Sequence, residues 1–194
     1  MRLQAGQTAP AISLPNIDGS AFDTRTLAGR AYMLSFYRFA GCPFCNLRIH
    51  RIVSSYAEFR DNLELVAVFD SSLENLQRHV AKHEAPFPVL ADESNRSYKA
   101  YRIERSLAGV MRGMIFRFPT LIKSMLMGNL PTTIRGSMTT MPADFLIDGD
   151  GVIVKAYYGK DEGDHLPISE VVAFAMRSAF KPATGLSSFS STQG

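Results

Sequence analysis

The two cysteines of the chain, Cys42 and Cys45, are three positions apart, at the junction between an apolar segment and an amphipathic one. Residues 31–37, AYMLSFY, have the continuous apolar character of a buried strand. The following segment predicts a helix over 43 to about 60, because its apolar side chains recur at helical intervals: Ile49, Ile52, Val53 and Tyr56. A C-x-x-C pair between a strand and a helix is typical of redox-active thiols.

The rest of the chain alternates between predicted strands and helices. Strands are predicted at 63–69, at 88–92 and on both sides of the turn DGDG, residues 148–151. Further helices are predicted from Ser71, which has capping-box spacing to Glu74, from about Ser94, and over 168–180. Strands joined by helices and followed by a hairpin predict an α/β fold whose sheet has an antiparallel edge.

Composition limits the domain organisation and the cellular setting. The chain has 194 residues, 46% hydrophobic and 20% charged, which is enough for one core and predicts a single domain over 1–182. The Ser-rich segment 183–194 is expected to be a flexible tail. The sequence shows neither a secretory-signal pattern nor a run of ~18 apolar residues. We therefore expect a soluble, cytoplasmic protein, in which a structural disulfide would be unusual.

The position of each cysteine predicts its role. Cys42 falls at the start of a helix, where unpaired backbone N–H groups stabilise a thiolate, and Pro43 suits the first helical position. Cys45 shares a face with the apolar stripe of that helix. We therefore expect an exposed, attacking Cys42 and a half-buried, resolving Cys45. Arg38 is the nearest positive charge in sequence; it either lowers the Cys42 pKa or is a solvated loop side chain.

Two other interpretations of the cysteines are open, a metal site and a pair of inert core thiols. Structural zinc takes four ligands, and one C-x-x-C pair supplies two. The segment HVAKH adds His79 and His83, which we interpret as two surface histidines. No metal and no cofactor are predicted.

Three motifs of the sequence resemble one family. They are GQTAPAISLPNIDGSAFDTRTLAGRAYMLSFYR (6–38), CPFC (42–45) and FLIDGDGVI (145–153). Together they resemble the peroxiredoxin-like branch of the alkyl hydroperoxide reductase/thiol-specific antioxidant class, over about residues 6 to 180. The resemblance implies a thioredoxin-like fold, a central mixed β-sheet flanked by helices, with an N-terminal hairpin, for which residues 11–23 are the candidate. It also implies an antioxidant oxidoreductase.

The sequence departs from true peroxiredoxins at three positions. The family signature P-x-x-x-[TS]-x-x-C has Ser35 and Phe39 at its proline and hydroxyl positions, and Pro142 stands where peroxiredoxins have an arginine. Without those donors, activated cleavage of peroxides loses its electrostatic support. The segment MPADFLID instead resembles the thioredoxin arrangement, which implies a cis peptide bond before Pro142 and a proline that faces the cysteines.

Residues 103–135 are long for a connection and are expected to form a helical insertion. This segment combines four methionines with five cations and a single acid, Glu104: Met111, Met114, Met125, Met127, Arg105, Arg112, Arg117, Lys123 and Arg135. One interpretation is a pair of helices folded over the core or into a homodimer interface. The other is an adaptable Met-lined surface that docks a partner protein or an acidic, hydrophobic substrate. Membrane contact and nucleic-acid binding are not expected.

These observations predict a thiol–disulfide oxidoreductase that cycles between a Cys42–Cys45 disulfide and the dithiol. Its partners would be a protein or small-molecule disulfide, or a hydroperoxide, and a thiol reductant. Two alternatives remain: a thiol peroxidase that uses Cys42, and a redox-sensing binding protein. If peroxidase donors exist, Arg38 and Arg135 are the first candidates.

Overall fold

The computed structural model describes residues 1–128 and 137–179. A five-stranded mixed sheet has the spatial order β5-β4-β3-β6-β7. Its strands are β3 (Tyr32–Tyr37), β4 (Glu64–Phe69), β5 (Val89–Ala91), β6 (Ala143–Ile147) and β7 (Ile153–Tyr158). The pairs β3–β4 and β4–β5 are parallel, whereas β3–β6 and β6–β7 are antiparallel. The predicted α/β sheet with an antiparallel edge is confirmed.

A small hairpin precedes the sheet. It consists of β1 (Ser13–Pro15) and β2 (Ala21–Asp23), paired antiparallel. Gly19 lies in the connecting turn with φ of +88°, a left-handed conformation that glycine adopts without steric cost. The hairpin predicted within 11–23 is confirmed.

Six α-helices lie within the described ranges. They are α1 (Pro43–Ser55), α2 (Leu73–Val80), α3 (Arg96–Ala100), α4 (Leu107–Phe116), α5 (Phe118–Leu126) and α6 (Ile168–Ala179). The α1 helix continues as a 3-10 turn over Tyr56–Glu58 and so ends near the predicted boundary. The N-cap of α2 is Ser72, which accepts from the Asn75 backbone N–H. The prediction of a cap at Ser71 was one residue too early, since that side chain accepts from the Asn75 side-chain amide instead.

Strand β3 lies at the centre of the sheet and is buried along both faces. Met33 and Tyr37 point into a core built with α1, α2 and α6. Leu34 and Phe36 point to the opposite face, which the N-terminal segment and Tyr98 of α3 cover. The two-residue period of a strand therefore places the end of β3, and the loop that leads to Cys42, between two packed layers.

Helices α4 and α5 form the predicted insertion and fold back on the core. Gly109 and Gly113 lie one turn apart in α4, and a Cβ on either would lie within 3 Å of Met141 or Glu162 side-chain atoms, so glycine permits the close approach. Helix α5 packs on α1, and Ser124 Oγ donates to the Pro43 carbonyl oxygen at 2.7 Å. The insertion is thus joined to the segment between the two cysteines.

The outer surfaces of α4 and α5 carry many large apolar side chains that are exposed to solvent. They are Leu107, Met111, Met114, Ile115, Phe116, Phe118, Ile122, Leu126 and Met127, here called the outer apolar face. Within residues 1–128 and 137–179, no helix has the length and apolar character needed to cross a membrane. Arg135 and the predicted tail 183–194 lie outside the described residues.

Candidate active site

The two cysteines lie at the beginning of α1, directly after the loop that leaves β3. Cys42 is the N-cap residue, and Pro43 occupies the first helical turn. The Cys42 carbonyl oxygen accepts the first helical hydrogen bond, from the Asn46 N–H at 3.0 Å. Both thiols are free, so the structure represents the dithiol form. The predicted placement at a helix N-terminus is confirmed.

Both cysteines are fully buried, each with 0% of its surface exposed. The expectation of an exposed Cys42 and a half-buried Cys45 was therefore wrong. The physical reason is packing: both cysteines belong to the hydrophobic core cluster, against which Leu121 of α5 also packs, and Arg38 lies against Cys42. In this conformation Sγ of Cys42 is closed to solvent.

Arg38 extends from the end of β3 toward Cys42 and is 4% exposed. Its Nη1 lies 3.8 Å from Sγ of Cys42, and its Nη2 donates to the carbonyl oxygen of Met138. The guanidinium also lies over the ring of Phe39, 5.5 Å from its centroid. Arg38 is therefore not a solvated loop side chain, and the structure brings its charge to the thiol.

The environments of the two thiols shift their pKa values in opposite directions. Burial by itself raises the pKa of Cys42, yet the hydrogen bond with Cys45, the Arg38 charge and two backbone N–H groups outweigh it. The pKa of Cys42 falls from 9.0 to about 7. Burial, followed by the neighbouring Cys42, raises the pKa of Cys45 well above its ordinary value. At neutral pH the pair therefore favours a thiolate at Cys42 and a thiol at Cys45.

Asn46 holds the loop that contains Cys42. Its side-chain amide donates to the carbonyl oxygens of Ala40 and Cys42 at 2.7 and 3.0 Å, and its Oδ1 lies 2.8 Å from Nε2 of His83. Burial, with the charges of Lys82 and His50, lowers the pKa of His83 to about 4. Sequence reasoning missed Asn46, and His83, which it interpreted as a surface histidine, is half-buried and contacts Asn46.

Pro142 is buried directly before β6. Because Phe36 pairs with Ala143, Pro142 lies beside the end of β3, where the cysteine loop begins. The described residues contain no cis peptide bond, so the predicted cis bond between Met141 and Pro142 is wrong. Directly before Pro142, the Met141 N–H donates to the Glu104 carbonyl oxygen at 2.9 Å, and Thr140 forms an isolated β-bridge with Arg105.

A buried polar network underlies the site on β3 and β6. The Asp144 carboxylate accepts from Ser35 Oγ at 2.5 Å and from the Leu166 backbone N–H at 2.6 Å, and His165 Nδ1 lies 3.1 Å away. Burial raises the pKa of Asp144, but the charge and hydrogen bond of His165 outweigh it and lower that pKa. An aspartate inside the apolar run ADFLI was the sequence signal for this network, and it was missed.

The described residues contain no group of three His, Cys, Asp or Glu side chains that could hold a metal ion. The reactive groups that the structure brings together at the site are the two thiols, with the Arg38 guanidinium beside Cys42.

A family comparison agrees with this arrangement of thiols. Residues 5–156 match the model of the AhpC/TSA family. The chain belongs to the AhpC/TSA family.

Curated relatives of this AhpC/TSA chain carry two kinds of name. "Peroxiredoxin Q, chloroplastic" of Sedum lineare is 25% identical over 113 residues, which are 58% of this chain and 61% of that protein. "Thiol-disulfide oxidoreductase ResA" of Halalkalibacterium halodurans is 28% identical over 102 residues, 52% of this chain and 57% of that protein. "Peroxiredoxin Bcp" of Escherichia coli is 26% identical over 123 residues, 62% of this chain and 79% of that protein. The match thus spans less than two thirds of the first two.

Solved structures support the thioredoxin-like fold over nearly the whole AhpC/TSA chain. Peroxidoxin BcpB from Mycobacterium tuberculosis superposes with a TM-score of 0.65 at 16% identity, covering 93% of this chain and 99% of that one. A thiol:disulfide interchange protein DsbE from Chlorobium tepidum superposes with a TM-score of 0.61 at 16% identity. The superposition covers 92% of this chain and 99% of the other.

Ser35 and Phe39 occupy positions where this AhpC/TSA chain departs from the peroxiredoxin signature, and both side chains are buried. Ser35 is fully buried and donates to Asp144, away from the thiols. Phe39 is 4% exposed and packs in the core cluster that contains both cysteines. Neither supplies a hydrogen-bond donor to Sγ of Cys42, whereas Arg38 does.

Proposed function

We propose that this protein is a thiol–disulfide oxidoreductase in which Cys42 attacks and Cys45 resolves. The observation that carries the proposal is the opposite shift of the two pKa values, with Arg38 Nη1 at 3.8 Å from Sγ of Cys42. The relative named thiol-disulfide oxidoreductase ResA supports it. The trans Met141–Pro142 bond removes the cis-proline argument, so the proposal depends on the cysteines and Arg38 alone.

In the proposed cycle the Cys42 thiolate attacks one sulfur of a substrate disulfide, breaks that S–S bond and releases one substrate thiolate. Cys42 is then uncharged, so its contribution to the raised pKa of Cys45 disappears. Cys45 loses its proton and attacks Sγ of Cys42, which forms the Cys42–Cys45 disulfide and releases the second substrate thiolate. A thiol reductant returns two electrons and restores the dithiol.

A thiol peroxidase is the second candidate, and the relatives named peroxiredoxin favour it. The Cys42 thiolate would attack a peroxide oxygen, break the O–O bond and release an alcohol or water. Cys45 would then attack the sulfenic acid, with loss of water, to form the same disulfide. Arg38 would be the donor beside the reacting oxygens.

One preparation can separate these activities. We expect reduction of a protein disulfide, coupled to a thiol reductant, to exceed oxidation by hydrogen peroxide or an organic hydroperoxide measured by stopped flow. A lost peroxidase donor costs roughly 10²- to 10³-fold in comparable sites. Cys42→Ser should abolish both reactions, and Cys45→Ser should accumulate mixed disulfides. Fast peroxide oxidation with negligible disulfide turnover would assign a peroxidase, and absence of both would favour a redox-sensing protein.

The proposal includes a homodimer formed through residues 103–135. The outer apolar face supports it, because monomeric proteins rarely leave a contiguous patch of this kind uncovered and a two-fold axis would pair it with itself. Sedimentation at two protein concentrations should show a dimer. Met111→Lys together with Ile115→Lys should yield a monomer, whereas Met176→Lys, an exposed methionine on α6, should not.

A further inference from the structure

A cavity of about 200 Å³ lies beside the cysteine helix, on a face of α1 different from that of Cys45. Its walls come from three elements: α1, the junction between α4 and α5, and the loop between β7 and α6. The residues that matter here are Phe44, Arg48, Arg51, Arg117, Thr120 and His165. Phe44 is one of the two residues between the cysteines, so the cavity adjoins the candidate active site.

The cavity is lined by three arginines and by no acidic side chain. Arg117 is paired with Asp161 and lies 4.0 Å from Asp164. Among the ion pairs of residues 1–128 and 137–179, neither Arg48 nor Arg51 has a carboxylate partner. Arg48 is held in place by a 2.6 Å hydrogen bond from its Nη2 to the Leu166 carbonyl oxygen. The cavity lining therefore presents three guanidinium groups; Asp161 and Asp164 lie against Arg117, and the buried Asp144 carboxylate interacts with the Arg48 charge.

His165 adds a buried polar atom without a partner. Its side chain is 3% exposed, and its Nδ1 lies 3.1 Å from Asp144. Nε2 of the same ring is buried and makes no hydrogen bond to any described residue, as is true of Arg48 Nε. A buried polar atom that lacks a partner is costly, and a ligand atom would remove that cost. His165 also lines the cavity, so a ligand bound there could supply the missing partner of Nε2.

We propose that this cavity binds an oxyanion, and that in turnover the oxyanion is a carboxylate of an anionic disulfide or hydroperoxide substrate. The second part rests on the proposed function. Arginine guanidinium groups suit carboxylate and phosphate oxygens because they present paired donors. Arg48 is six residues beyond Cys42, which corresponds to ~9 Å along a helix. The cavity would thus select substrates that carry a carboxylate about that far from the atom that Cys42 attacks.

The binding part can be tested without any turnover. In Cys42→Ser protein labelled with ¹⁵N, titration with inorganic phosphate and with acetate should shift the His165 Nε2 resonance to saturation. Arg51→Gln, a change at an exposed residue, should weaken this binding about tenfold or more. Arg96→Gln, which changes an exposed arginine on α3, should leave it unchanged. No saturable shift, or equal weakening by both variants, would overturn the site.

The substrate part is tested with the active protein. Glutathione disulfide carries carboxylates and hydroxyethyl disulfide carries none, so Arg51→Gln should raise KM for the former at least about fivefold more than for the latter. Arg96→Gln should change neither. Oxyanion binding with an unchanged ratio of KM values would overturn the substrate assignment alone. If no disulfide is turned over, the proposed function fails, and the resonance titration still decides on the cavity.

Discussion

The guanidinium of Arg38 joins the thiol of Cys42 to the backbone of Met138. One terminal nitrogen lies 3.8 Å from Sγ, and the other donates to the Met138 carbonyl oxygen. These residues are far apart in sequence, and the second contact orients the first. The charge that lowers the Cys42 pKa is therefore positioned by the segment that leads into Pro142.

Removal of the Arg38 charge should raise the pKa of Cys42. Burial raises the pKa of Cys42, and the Arg38 charge is one of the effects that lower it. In Arg38→Met that lowering effect is absent, so alkylation of Cys42 at pH 7 should slow about tenfold for each unit by which the pKa rises. Rates of iodoacetamide labelling from pH 5 to 10, measured in a Cys45→Ser background, report this pKa. Arg38→Lys should give an intermediate profile because it retains the charge without the paired geometry. Identical profiles for all three proteins would contradict the role assigned to Arg38.

The two thiols should differ in reactivity even though both are buried. Limiting alkylation of the native protein at neutral pH should label Cys42 before Cys45, because the pKa of Cys42 is about 7 and that of Cys45 is raised well above its ordinary value. Peptide mapping by mass spectrometry measures the order. Preferential labelling of Cys45 would reverse the proposed roles.

Ionisation of Cys42 should make stability depend on pH between 7 and 9. Below pH 7 the thiol is protonated in both states, and between 7 and 9 it is ionised in the folded state alone, so the unfolded state binds more protons. Stability should therefore rise with pH across this window by about 2 to 3 kcal/mol and then level off. Urea unfolding of Cys45→Ser against Cys42→Ala/Cys45→Ser isolates this contribution. A pH-independent difference would show that the Cys42 pKa is not lowered.

The hydrogen bond from Ser124 to Pro43 should hold α5 over the cysteines. Ser124→Ala removes this 2.7 Å bond and should destabilise the protein by about 1 kcal/mol. It should also speed alkylation of Cys42 at pH 9, where thiolate formation no longer limits the rate. Ser178→Ala, which removes a bond within α6, is the matched control and should not affect the thiol. Equal labelling rates for the two variants would argue against α5 as the cover.

Asp144 should be a large contributor to stability. Asp144→Asn breaks a buried pair with His165 and should cost about 3 to 5 kcal/mol, measured by urea unfolding at pH 7. Because the folded pKa of Asp144 is lowered, this contribution is present above the ordinary carboxyl range and declines as the pH falls. Asp61→Asn, at an exposed site, should change stability by about 0.5 kcal/mol or less. A similar loss of stability in Asp144→Asn and Asp61→Asn would contradict the stabilising role assigned to Asp144.

The sequence by itself determined the order of the elements and the position of the cysteines within them. The continuous apolar run of β3 and the helical spacing of Ile49 and Ile52 are local patterns, so they could be recognised without tertiary information. Proline is favoured at the first helical position, so Pro43 indicated where α1 begins and predicted that Cys42 lies at its N-terminus.

The tertiary structure decided what surrounds those cysteines. Cys42 is buried in a core cluster whose members come from many elements, and Arg38 is held by the carbonyl oxygen of Met138, one hundred residues later in the chain. Such contacts join residues distant in sequence, and their geometry results from the packing of whole elements, which local periodicity does not encode. For this reason the thiols could be located from sequence and Arg38 named as a candidate partner, whereas the exposure of the thiols and the position of the Arg38 guanidinium could not be predicted.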